Sequence, residues 1–315
     1  MGNLMLASVA GLFFSGLFYL VSLFLFILSR LNFIGLGKLF GYVMNLSFYF
    51  AIAFAVLFVL DLVTYGKKKA RREHYILNNT RKKKFVVGLL AYNEEPSIAQ
   101  VVTEFKSHPL VSKVIVVDNN SKDKTSELAT KAGADIVVLE TRPGYDSACL
   151  RVLKECLEHC GTNEVIALCE ADGTFSSLDL DKFLAYLANS DMAVGSRMCP
   201  EIVDKKTQLE PAFYSYGNYF IAKLIHLKYY LRLTDVGCTY RAITPEALRK
   251  LLPYLKYRGH AFSPHMITEA AKQGLIVVEI PVTFKKRIGI SKGAGGNYWL
   301  GWKTGWKMIF DIIKA

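Results

Sequence analysis

The stretch IALCEADGTF, residues 166–175, runs apolar from Ile166 to Cys169 and then presents Glu170 and Asp172 with only Ala171 between them. A strand end followed by a turn accounts for part of this, with Asp172-Gly173 as the turn residues. Positions i and i+2 of a strand point to the same side, so the two carboxylates converge, and like charges held together call for a cation. The stretch alone leaves a plain strand end and a metal site both open.

The segments around it decide the fold. KFVVGLLAY (84–92), VSKVIVVD (111–118), ADIVVLE (134–140), EVIALCEAD (164–172) and DMAVGS (191–196) are short apolar runs bounded by turn or polar residues, as buried parallel strands are. Ser97 to Ser107 and Lys124 to Ala132 have helical length and periodicity between them. Alternating strands and helices predict an α/β domain with a doubly wound, mostly parallel sheet. Ligands of such sheets bind outside the carboxyl ends of the strands. Four predicted strand ends carry polar clusters: Tyr92-Asn93-Glu94-Glu95, Asp118-Asn119-Asn120-Ser121, Glu170-Ala171-Asp172 and Ser196-Arg197. One shared site explains them most economically. Neither G-x-G-x-x-G after the first strand nor a P-loop occurs, so a nucleotide is expected to be held at strand ends, with a metal on its phosphates. Mg²⁺ or Mn²⁺ suits Glu170 and Asp172, because hard cations take carboxylate and phosphate oxygens.

Hydrophobic residues make up 52% of the 315-residue chain, and the mean hydropathy is +0.24. The excess lies near the N-terminus. Leu4 to Leu28 carries no charge, and Phe40 to Tyr65 carries only Asp61, so each is long enough to span a bilayer. A cleavable signal peptide competes for the first stretch, but the basic n-region is missing and the apolar run is too long. GKKKARREHYILNNTRKKK follows the second stretch, whereas the loop between the two carries only Arg30 and Lys38. The positive-inside rule therefore places the remainder in the cytoplasm. Much of the net charge of +12 is concentrated in that juxtamembrane stretch and reads as attraction to anionic lipid; no nucleic-acid-binding motif accompanies it. The six cysteines form no C-x-x-C pair and are expected to be reduced, mostly buried hydrophobes. The expected organisation is a transmembrane hairpin (1–65), a basic linker (66–84), the α/β domain (85–292) and an amphipathic interfacial helix (293–315).

VVGLLAYNEE, VIVVDNNSKDKT, EADGTF, VGSRM, DVGCTYRAI and IVVEIPVTFKKRIGISK occur in that order. Together they resemble family 2 glycosyltransferases of GT-A fold, and within them the polyprenyl-phosphate sugar transferases, similar to dolichyl-phosphate mannosyltransferase. The resemblance spans about residues 84–292. It implies that Tyr92, Asn93, Glu94, Asp118 and Asn120 bind the donor nucleoside. Glu170 and Asp172 then correspond to the D-x-D metal motif, with Glu a departure from the first Asp. It further implies catalytic roles for Asp172 and Arg197, and an acceptor-phosphate site at Arg241, Arg287 and Lys292, where Arg offers a planar fork and Lys a compact charge.

The implied reaction moves a sugar from a nucleotide-diphosphate donor to a polyprenyl phosphate, with inversion. A phosphate acceptor is ionised at neutral pH and needs little base catalysis. A hydroxyl acceptor needs a carboxylate base, for which Asp235 is the candidate; a non-catalytic sugar-nucleotide-binding scaffold is the other alternative. The absence of Q-x-x-R-W weighs against a polymerising synthase. Residues 211–233 mix Tyr and Phe with basic residues at helical length. Trp299, Trp302, Trp306, Ile309 and Ile313 recur at three-and-four spacing opposite Lys303 and Lys307, as in a helix lying at a membrane interface or packed by its aromatic face on the domain.

Overall fold

The computed structural model describes residues 2–30, 37–68, 80, 82–204, 207, 212–256, 258–289 and 305–312. The chain forms two compact units, Met1–Glu73 and His74–Ala315.

The first unit is a pair of helices, α1 (Gly2–Arg30) and α2 (Gly37–Lys68), each long and apolar enough to cross a membrane. Ser8, Ser15 and Ser22, seven residues apart on α1, are buried, while Phe13, Phe14, Phe18 and Phe24 are exposed. Gly11 lies under the Phe54 ring of α2, where a Cβ would collide with it. The missing side chain thus seats an aromatic ring between the two helices, while other aromatics cover the outer faces.

The second unit is built on a seven-stranded sheet of order β3-β2-β1-β4-β6-β5-β7. The strands are β1 (Lys84–Ala91), β2 (Val111–Asp118), β3 (Ile136–Leu139), β4 (Glu164–Glu170), β5 (Met192–Ser196), β6 (Arg241–Ile243) and β7 (Val277–Pro281). The five strands predicted from the apolar runs are all present. β1 to β4 pair in parallel, β6 runs antiparallel to both β4 and β5, and β5 pairs in parallel with β7. Helices α3 (Ile98–Lys106), α4 (Thr125–Lys131), α5 (Tyr145–Glu158), α6 (Leu180–Leu187), α7 (Ala212–Tyr229), α8 (Pro245–Leu251) and α9 (Phe262–Lys272) connect and cover it.

Helix α3 buries Ile98, Val101, Val102 and Phe105, and α6 buries Leu180, Phe183, Leu184 and Leu187, each a stripe at three-and-four spacing. Each such side chain contributes about 1.5–3 kcal/mol by leaving water. On the other face α5 lies directly on β1, because a Cβ on Gly88 would meet Val152 at 2.5 Å and Cys156 at 2.7 Å. All six cysteines are free, and four of them, Cys149, Cys156, Cys169 and Cys238, are buried. At the C-terminus, residues 305–312 are helical, with Trp306 and Phe310 exposed and Ile312 buried. Lys228 of α7 donates to the Ile312 carbonyl at 2.7 Å. The aromatic side chains of this helix that are described face outward. Trp299, Trp302, Lys303 and Ile313 lie outside the described residues.

Candidate active site

Register brings the predicted clusters to one edge. Ala91, at the end of β1, is paired with Asp118 of β2, and Leu90 is paired with Glu170 of β4. The Ala171 amide continues the ladder to the Leu90 carbonyl at 2.9 Å, so Asp172 emerges just beyond the sheet. Gly173 follows at φ +79°, a conformation that favours glycine, and turns the chain back. One oxygen of Asp172 accepts from the Thr174 amide at 3.0 Å and the Thr174 hydroxyl at 2.6 Å.

A strap running from the end of β7 clamps this turn. The Lys285 amide donates to the Thr174 carbonyl at 2.6 Å and the Ile288 amide to the Asp172 carbonyl at 3.1 Å. Phe284 packs on Phe175, with ring centroids 5.3 Å apart. The strap thereby delivers Arg287 into the site. One guanidinium nitrogen donates to the second oxygen of Asp172 at 2.7 Å, and another pairs with Glu94. Asp172 is 1% exposed and Glu94 5%, so one cation is shared between two buried carboxylates and offsets one of their two charges. Burial, reinforced by the charge of Asp172, raises the Glu170 carboxyl well above the usual carboxylate range, against a hydrogen bond from Thr239 at 2.6 Å.

The loops after β1 and β2 interlock. The Asn93 amide donates to the Ser121 hydroxyl at 2.8 Å, and the Asn93 side-chain oxygen accepts from the Lys122 amide at 2.7 Å. The Glu94 amide donates to Thr125 at 2.9 Å. Asp118 accepts from the Ser121 amide at 2.9 Å and from the hydroxyls of Ser121 and Ser126. Asn93 and Asn120 adopt left-handed backbone conformations, which Asn tolerates. Tyr92 stands 43% exposed beside them.

A second cluster lies at the end of β5. Arg197 grips Asp235 through its amide at 3.0 Å and two guanidinium nitrogens at 2.7 and 2.9 Å. Asn218 of α7 and the Gly237 amide donate to the same carboxylate. Burial works against ionisation of Asp235, but the Arg197 charge and these hydrogen bonds prevail and hold its pKa below the usual value. The Arg197 guanidinium also sits 5.3 Å from the centre of the Phe284 ring, which joins this cluster to the strap.

Among the described residues, no three of His, Cys, Asp and Glu form a closed metal cage. The donor set is open and made of oxygen: Glu170 and Asp172, with Arg287 seated where positive charge is required. A hard divalent cation that takes further ligands from substrate phosphates fits such a set.

The pattern of glycosyl transferase family 2 matches residues 86–252. The chain belongs to this family. The glycosyltransferase is 28% identical to the undecaprenyl-phosphate mannosyltransferase of Micrococcus luteus, over 65% of this chain and 85% of that protein. It is 27% identical to the polyprenol monophosphomannose synthase of Mycolicibacterium smegmatis, over 67% of this chain and 82% of the relative. Among solved structures it resembles glucosyl-3-phosphoglycerate synthase from Mycobacterium tuberculosis, in a complex with Mn²⁺ and uridine diphosphate. The TM-score is 0.54 at 17% identity, covering 72% of this chain and 79% of that one. The fold is GT-A-like.

Within the glycosyltransferase, Tyr92, Asn93, Glu94, Asp118, Asn120, Glu170 and Asp172 gather at one edge, as expected. Three other expectations change. Arg241 is 1% exposed, and its guanidinium donates to the carbonyls of Thr239, Ser263 and Cys238, which leaves it holding β6 and α9 together, not an acceptor phosphate. Asp235 is fully buried and its oxygens are engaged by Arg197, Asn218 and Gly237, which unsuits it as a base. Arg287 sits on Asp172 and Glu94, carboxylates of this same edge, and not apart from them as a separate phosphate-binding group. Lys292 lies outside the described residues. Sequence reasoning missed Thr239, Tyr145 and Asn218; only Thr239, two residues before Arg241 in a quoted block, carried a signal.

Proposed function

We propose that this glycosyltransferase moves a sugar from a nucleotide-diphosphate donor onto a polyprenyl phosphate, with inversion, at the cytoplasmic face of a membrane. The observation that carries this reading is the engagement of Asp235. With its oxygens held by Arg197, Asn218 and Gly237, it cannot deprotonate a hydroxyl acceptor. A phosphate monoester, with a second pKa of about 6, arrives ionised and needs no such base. The two lipid-phosphate relatives and the apolar helices α1 and α2 support the same acceptor class.

Glu170 and Asp172 would hold a divalent cation, Mg²⁺ or Mn²⁺, which when bound supplies positive charge to the departing nucleoside diphosphate. The chain's own residues do the rest. Tyr92, Asn93, Glu94, Asp118 and Asn120 shape the donor pocket on the interlocked loops. Arg287 offers a second positive charge beside the diphosphate, and Arg197, fixed by Asp235, offers one on the acceptor side. Two anionic substrates are thereby screened and aligned, which is most of what an already ionised nucleophile requires.

The test incubates the purified full chain with a panel of nucleotide sugars, Mg²⁺ or Mn²⁺, and polyprenyl phosphate, and analyses the lipid fraction by mass spectrometry. A metal-dependent, mild-acid-labile sugar phosphate of inverted anomeric configuration is expected. An acid-stable glycoside on a hydroxyl acceptor, or turnover undiminished by chelation, overturns the proposal.

A further inference from the structure

Glu170 is one methylene longer than an aspartate, and a chain of buried hydroxyls meets its tip. Oε1 of Glu170 accepts from the Thr239 hydroxyl at 2.6 Å. The Thr239 oxygen lies 2.6 Å from the Tyr145 hydroxyl, which in turn lies 3.1 Å from the hydroxyl of Ser263. Thr239 precedes β6, Tyr145 opens α5 and Ser263 is in the first turn of α9, so three elements converge behind one carboxylate. Thr239 and Ser263 are each 3% exposed, and the Tyr145 ring stacks on His260 at 6.0 Å and 20°.

The direction of this chain follows from proton counting. Thr239 donates to Oε1 of Glu170, and a hydroxyl has one proton to give. Tyr145 must then donate to Thr239, and Ser263 to Tyr145. The relay Ser263 to Tyr145 to Thr239 is polarised toward the carboxylate. Mutual pairing would satisfy Tyr145 and Thr239 without any carboxylate, so burial of hydroxyls alone does not explain why the relay ends on Glu170.

We propose that Thr239, oriented by Tyr145, is a positioning residue for Glu170. Its single proton pins Oε1, so the longer side chain meets the donor diphosphate and its cation in one preset rotamer. This inference rests on the reading of Glu170 as a donor-side carboxylate.

The experiment measures Mn²⁺-dependent binding of UDP, GDP, ADP and CDP to the full chain by calorimetry, without acceptor, in a double-mutant cycle. Thr239→Val, which keeps shape and removes the hydroxyl, is expected to weaken binding of the preferred nucleotide roughly tenfold, a bond worth about 1.4 kcal/mol. Thr239→Ser is expected to restore it to within about twofold, because the serine hydroxyl can make the same bond. Tyr145→Phe should fall between. In a Glu170→Met background Thr239→Val should add nothing, because the acceptor oxygen is gone. Loss with Glu170→Met but wild-type binding with Thr239→Val, or additive losses in the double variant, overturns the positioning role. Unchanged binding with Glu170→Met overturns the donor-side reading of Glu170 itself. Should Thr239→Val fail to fold, the same cycle with Tyr145→Phe decides the question.

Discussion

Replacing Arg287 with Met tests the strap most directly. The substitution keeps the side chain unbranched and removes the cation shared by Asp172 and Glu94. Both carboxylates are nearly inaccessible to water, and breaking a buried ion pair from one side costs about 3–5 kcal/mol. The Arg287 side chain is 16% exposed, so some water reaches the pair and the lower figure, about 3 kcal/mol, applies. For a unit of this size, about 2–4 °C per kcal/mol converts this into a fall of about 6–12 °C in Tm. Mn²⁺ should then raise the Tm of Arg287→Met more than that of the wild type, because the divalent cation no longer competes with a guanidinium for Asp172. The assay is thermal unfolding of the full chain in detergent, with and without Mn²⁺. A variant that melts within about 2 °C of wild type, with an equal response to Mn²⁺, refutes the counter-ion account of Arg287.

Asp172→Asn should leave the fold intact, since the amide oxygen still accepts from Thr174, while turnover falls at least about a hundredfold; near-normal turnover in the folded variant removes Asp172 from the metal site. Asp235→Asn leaves Arg197 buried without its counter-charge, so the denaturation midpoint should fall by the equivalent of about 3–5 kcal/mol; lost turnover with unchanged stability would instead restore Asp235 as a base. Burial lowers the pKa of His265 below 6.5, with Arg258 and Lys272 adding to the effect and Glu269 and Asp311 opposing it. The neutral ring accepts from the Lys256 amide at 3.1 Å. The unfolded chain therefore binds the extra proton, so this contribution to stability is present above pH 6.5 and declines as the pH falls below it. His265→Gln should flatten that part of the stability profile, measured by denaturant titration between pH 5 and 8, about the range in which histidine titrates. A cysteine placed at position 78 should resist membrane-impermeant thiol reagents in sealed cells and react after permeabilisation; labelling from outside reverses the proposed orientation.

The five parallel-type strands were legible because each is a continuous apolar run ending in turn residues. β6 was not, because it is three residues long and opens with Arg241, a residue that reads as exposed until the carbonyls of Cys238, Thr239 and Ser263 are seen around it. The carboxylate edge of the site could be read from chain-local patterns. Its cations could not. Arg287 reaches across 115 positions to Asp172, and Arg197 across 38 to Asp235, and no local rule sets such pairings. The same holds for Tyr145 and Thr239, 94 positions apart. The serines of α1 are a different case, since their seven-residue spacing is visible in the sequence and was masked only by the hydrophobicity around them.

The reversed direction of β6 sets a loop between the two halves of the site edge. Because it runs against its neighbours, the loop from Thr234 to Tyr240 enters the same edge at which β4 and β5 end, and it separates two groups of strands. On one side, β1, β2 and β4 carry the loops proposed to bind the donor; on the other, β5 and β7 carry Arg197 and the strap. The division is not clean, because Arg287 on the strap and Thr239 in the loop before β6 both reach back to carboxylates on the other side. Rewriting the chain beyond residue 196 therefore touches both sides at once, and chimeras joined within β6 should stay active only where Arg287 and Thr239 keep their partners.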